Sequence, residues 1–137
     1  MSPDLDQKLC EAFPKIFKDR HGDMRETSMC WGFDFSDGWY DIINTLCAAI
    51  QKHLDDNPEV PQVVAVQTKE KFGTLRFYIR GGDDYIRALI EHAEAESGRT
   101  CEVCGKPGKT IGARMIRTVC DEHKYQEAAL RGGAKTP

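Results

Sequence analysis

QVVAVQTKEKFGTLRFYIR, residues 62–80, decides the fold class. Residues 62–70 are rich in β-forming side chains and short enough for one strand. Thr74 to Arg80 alternates: Leu75, Phe77 and Ile79 face one way, and Arg76, Tyr78 and Arg80 the other. Lys71-Phe72-Gly73 reads as a turn, so the two runs predict a β-hairpin. Its apolar face has to be covered by another element.

The flanks supply that cover. Residues 38–55 carry Trp39, Ile42, Ile43, Leu46, Cys47, Ile50 and Leu54 along one helical stripe. Asp37 is the expected cap, and Asn57-Pro58 the end. After the hairpin, Gly81-Gly82-Asp83 leads into a helix over 84–97, with Ile86, Leu89, Ile90 and Ala93 inward and Gly98 as the stop. At the front, Ser2 and Pro3 suit the start of a helix. Leu5, Leu9, Phe13 and Phe17 recur every four residues, flanked by Ala12 and Ile16, until Pro14 interrupts the helix. Residues 20–37 are turn-rich and predict no single element. The expected class is α+β: a helix and hairpin sandwich over 1–98, then a cysteine-rich module over 99–137.

The chain has 137 residues, of which 40% are hydrophobic and 30% charged, as in a folded domain rather than a disordered chain. Its net charge of −3 is unevenly spread. Residues 1–60 hold 6 basic and 12 acidic side chains, 61–100 hold 6 and 6, and 101–137 hold 7 and 4. An acidic front half opposes general binding to nucleic-acid backbones. No apolar run approaches the roughly 18 residues of a membrane span, and MSPDLDQK lacks the basic start of a secretion signal. A cytoplasmic setting, away from membranes, is the expectation.

The strongest chemical signal is TCEVCGKPG followed by TVCDEHK. It gives Cys101-x2-Cys104 and Cys120-x2-His123, a Cys3His set that fits one tetrahedral, structural zinc ion. Gly105 can take a positive φ and turn backbone amides toward the sulfurs. Residues 111–119 predict a hairpin around Gly112, and Cys120 to His123 precede a helical-looking segment. Knuckle, hairpin and helix start in that order resemble a treble-clef zinc finger. A filled shell leaves no position for substrate. Lys106, Lys109, Arg114 and Arg117 could offset the negative charge of three thiolates. Cys10 and Cys47 read as small core residues, whereas Cys30, beside Trp31, is open in role.

No phosphate loop, dinucleotide fingerprint, nucleophile elbow or H-E-x-x-H is present, and no catalytic residue is assigned. Residues 30–40 place five aromatics among two glycines and two aspartates. They read either as a pocket, with Trp31 and Trp39 stacking a flat ligand and Asp34 or Asp37 reading its polar edge, or as a core-entry segment. Lys69, Lys71, Arg76, Tyr78 and Arg80 cluster on the predicted hairpin, a face for phosphates beside a ring or a plain solvated surface.

CWGF…DGWYDII, VQTKEKFGTLRFY followed by GG, and TCEVCGKPG…TVCDEH together resemble a family of small, uncharacterised proteins encoded by bacteriophages and prophages, over roughly residues 30–123. The resemblance implies an accessory protein in the cytosol of an infected bacterium, acting on host machinery such as antiviral defence. Three functions follow as expectations. The first is stoichiometric binding of a host protein or a small nucleotide. The second is nucleic-acid binding through 106–131, with Arg114, Arg117, Lys124 and Arg131 on phosphates. The third is an enzyme with an unrecognised site near Asp34, Asp37 and Arg76. A homodimer through a free sheet edge at 62–70 or 74–80 is a further option.

Overall fold

The computed structural model describes residues 1–25 and 27–124. Helices α1 (Pro3–Ala12), α2 (Tyr40–Asp56) and α3 (Asp84–Ser97) accompany strands β1 (Phe33–Asp34), β2 (Val64–Lys71), β3 (Thr74–Arg80), β4 (Lys109–Ile111) and β5 (Arg117–Val119). The class is α+β, as expected. One sheet has the order β1-β2-β3 and the other is the β4-β5 hairpin.

The 62–80 hairpin forms with Thr68 opposite Phe77 and Lys69 opposite Arg76. Its turn is tighter than expected, with only Phe72 and Gly73 at the tip. Both have positive φ, 54° and 86°, the backbone handedness that suits a two-residue hairpin. The third strand was not foreseen: Phe33 and Asp34 pair in parallel with Thr68 and Lys69. Two residues are too short to carry a readable alternation.

The aliphatic stripe of α2 is buried throughout, and Ile86, Ile90 and Ala93 of α3 meet it. Phe17 sits edge-on to both Phe33 and Phe77, at 5.0 and 6.3 Å between ring centres, joining the first turns to the sheet. Cys47 lies in this core, where burial pushes its thiol far above the ordinary range. Cys10 is half-buried, and burial together with Asp6 raises its thiol to about 11.

Several termini differ from expectation. Asp37 to Trp39 form a 3-10 turn, and α2 begins only at Tyr40. Asp37 caps no helix; its Oδ1 accepts the Ser2 amide at 2.7 Å. Ser2 occupies the cap position of α1, but its side chain makes no capping bond. Gly98 ends α3 with φ −71°, so it acts without the left-handed geometry that glycine permits. Neither expected sheet edge is simply open. Strand β2 is central, and on β3 the amides of Leu75 and Phe77 donate to Ser97 Oγ at 2.8 Å and Glu94 Oε2 at 3.0 Å of α3. Among the described residues no helix is long and apolar enough to cross a membrane.

Candidate metal centre and ligand faces

Residues 101–105 form a knuckle. Gly105 adopts φ 83° and donates its amide to Cys101 O at 2.9 Å, which closes the loop. Strands β4 and β5 then run antiparallel, Lys109 opposite Val119, and bring Cys120 back beside the knuckle. The hairpin is wider than expected: its strands are separated by residues 112–116, with Gly112 at φ 104°. The His123 amide donates to Cys120 O at 3.1 Å, turning the imidazole inward. The helix expected after His123, and Arg131 with it, fall outside the described residues.

The four predicted donors converge, with all ligand atoms within 4.8 Å of one another. Cys104 Sγ and Cys120 Sγ are 3.7 Å apart, and Cys101 Sγ lies 3.6 Å from His123 Nδ1. A tetrahedral ion with metal–sulfur bonds of about 2.3 Å spaces its sulfurs roughly 3.8 Å apart, so the cluster has the dimensions of a metal shell. Burial alone would raise the Cys101 thiol. The backbone amides of Cys120, Cys104 and Val103 outweigh it and hold that thiol below its ordinary range, whereas burial pushes the neighbouring Cys104 thiol above its own. Amides aimed at a sulfur favour the thiolate, the form that binds a metal. These residues could therefore hold one metal ion.

The knuckle is bonded into the rest of the protein. Glu102, only 1% exposed, accepts the Ser36 amide on its carboxylate at 3.0 Å, and its carbonyl accepts the Gly38 amide at 2.7 Å. Trp39 Nε1 donates to Thr100 O at 2.9 Å. On the other side, buried Thr118 donates its hydroxyl to Gly73 O at 2.6 Å. A Cβ on Gly38 would stand 2.2 Å from Cys101 O, so only glycine lets the two backbones approach. Sequence reasoning missed Glu102 entirely. A carboxylate inside a C-x-x-C loop reads as solvated unless its partner, 66 residues away, is known.

The predicted ligand residues do not form one site. Trp39 is fully buried, and Asp37 is taken by Ser2, which favours the core-entry reading for that end of the aromatic segment. Trp31 is 70% exposed and lines a cleft with α1, apart from the hairpin residues. Arg80 pairs with Asp19 at 3.4 Å, and Lys71 lies over the Phe72 ring at the hairpin tip. What remains together is the outer face of the sheet. Asp34, Lys69 and Arg76 are register neighbours across the three strands, and Tyr78, opposite Gln67, follows on β3. Lys69, Gln67 and Tyr78 border a cleft of about 470 Å³ whose other wall carries Arg25. In the module that follows Gly98, Arg117 donates to Lys124 O and Lys106 lies 3.7 Å from Glu122, while Arg114 is exposed.

His53 stands in the last turn of α2, where a hydrogen bond is ordinary, but its partners are not readable from the sequence. Its Nε2 lies 2.9 Å from Asp83 Oδ2, its ring stacks on Tyr85 at 4.3 Å, and Asn57 borders its Nδ1 at 3.3 Å. The same Asp83 caps α3 through the Ile86 amide. This cluster ties the end of α2 to the start of α3. No family model matches the sequence, and no curated protein or solved structure matches it.

Proposed function

We propose that this is a zinc-stabilised accessory protein that acts by stoichiometric binding, and that its ligand is a small nucleotide held on the outer face of the β1-β2-β3 sheet. Three thiolates and an imidazole at tetrahedral spacing favour zinc over harder ions. Bound there, zinc would supply cross-linking of the knuckle to the strand β5 end, with all four positions filled by protein. Chemistry at the ion is then disfavoured, and recognition moves to the sheet.

One observation carries the ligand reading: Lys69 and Arg76 stand directly opposite each other, with no carboxylate paired to either among the described residues. Like charges in that position destabilise a hairpin. The Arg76 Nε is moreover buried with no hydrogen-bond partner. A phosphate would relieve both costs through charge-assisted bonds. Tyr78 offers a ring for a base, and Asp34 an acceptor for its N–H edge. In the phage setting implied by the sequence resemblance, sequestering such a signal would blunt host antiviral defence.

The test is thermal melting of the metal-loaded protein with a panel of cyclic and linear nucleotides. A ligand at 100 times its Kd adds about 2.7 kcal/mol of stability. The double variant Lys69→Gln, Arg76→Gln should abolish the shift while retaining zinc. No shift with any nucleotide would overturn the nucleotide reading and point to a host protein instead. Elemental analysis should return one zinc per chain.

A further inference from the structure

Residues 27–32 build a pedestal. The Thr27 hydroxyl accepts the Met29 amide at 3.0 Å, and Met29 is fully buried beneath. Gly32, at φ 78°, closes the turn by donating to Met29 O at 2.9 Å. Arg20 braces it from the side. Its guanidinium makes a two-point contact with Asp6, the shortest bond 2.8 Å, and donates to Cys30 O at 3.2 Å. A Cβ on Gly32 would lie 2.8 Å from that guanidinium. These bonds fix the backbone that carries Trp31, whose side chain stands 70% exposed. Tryptophan is among the residues enriched at the energetic centres of protein interfaces, and a backbone set in advance lowers the entropy lost on contact.

Trp31 forms one wall of a cleft of about 670 Å³, and Gln7 and Glu11 of α1 line the other. The charge in this cleft selects its occupant. Arg20 is already committed to Asp6 and Cys30. Glu11 keeps an exposed carboxylate whose one described partner is the neutral Gln7 amide at 2.9 Å. His21 and Met1 also border the cleft, and the Met1 ammonium is already bonded to the carbonyls of Phe33 and Phe35. An anion finds no uncommitted guanidinium here, and a purely apolar group would face the Glu11 carboxylate. A planar cation would complement both walls, with its face toward the indole and its N–H groups toward Glu11.

We infer that the Trp31–α1 cleft binds an arginine side chain presented by a partner protein. This surface is separate from the proposed nucleotide face, and either can fail without the other. The chain has two tryptophans, and Trp39 is buried with its N–H bonded, so the two indole N–H resonances report separately on cleft and core. The probe is the blocked peptide acetyl-Gly-Arg-Gly-Arg-Gly-amide, titrated into the zinc-loaded protein, with its citrulline counterpart as control. The expected result is movement of the Trp31 resonance alone, with the arginine peptide only. Glu11→Gln should weaken binding roughly two- to fivefold, as for an exposed ion pair, and added salt should weaken it further. An unchanged Trp39 resonance confirms that the variant is folded. A stationary Trp31 resonance at millimolar peptide, an equal response to citrulline, or an unaltered affinity in Glu11→Gln would each overturn the inference.

Discussion

Residues 1–98 and residues 99–124 are held by different physics. The first region buries a continuous apolar cluster from Leu9 to Ala93. The second has only Cys101 and Val119 among its buried hydrophobic residues, alongside buried Glu102 and Thr118. Hydrophobic burial dominates the former. The latter has in its place four clustered donors and a polar seam with the first region. A change of the same chemical size should therefore act very differently on the two sides.

Cys104→Ser gives the largest expected effect. Structural zinc sites contribute on the order of 10 kcal/mol to the fold of small modules, so its loss should release residues 99–124. Metal content should fall from one to zero per chain, and limited proteolysis should cut within the module while 1–98 resists. A protease-resistant module without metal would erase the distinction between the two regions. Gly38→Ala comes next, because the new Cβ meets the knuckle backbone. We expect a loss of about 3 kcal/mol in denaturant unfolding. Glu102→Ala leaves the half-buried Ser36 amide without this acceptor, at a cost of about 1 kcal/mol.

Two smaller tests probe the first region. The His53 hydrogen bond and the Ile86 amide hold the Asp83 carboxyl below its ordinary value of 3.8. Its contribution is complete above that value and fades as pH falls through the lower folded-state value. The gap in Tm between wild type and Asp83→Asn should therefore be present at neutral pH and close in strong acid. An equal gap at both pH values would show that the capping geometry, and not the charge, matters. Phe72 is 63% exposed and holds a left-handed backbone. Phe72→Asn should relieve that conformation and raise stability by about 0.5 kcal/mol.

The contrast also explains what the sequence could reveal. Periodicity exposed the α2 stripe, the β3 alternation and the inner face of α3, since each is a local pattern imposed by a core. Donor spacing exposed Cys101, Cys104, Cys120 and His123, since a single ion demands it. Strand β1, the Glu102 seam and the Asp83–His53 tie are contacts between distant segments, and their residues look ordinary where they stand. The aromatic segment shows the limit most clearly. Trp31 and Trp39 are eight positions apart and equally bulky, yet one faces water and the other anchors Thr100. Only the tertiary arrangement separates them.

The bond between the Ser36 amide and Glu102 has a consequence for synthesis. While a ribosome is still making the chain, the amides of residues 36 and 38 have no acceptor until position 102 has cleared the exit tunnel. The early portion can collapse around its own apolar stripe, but this flank stays unlatched until the knuckle arrives. Completion of this flank is then tied to a segment made more than 60 residues later.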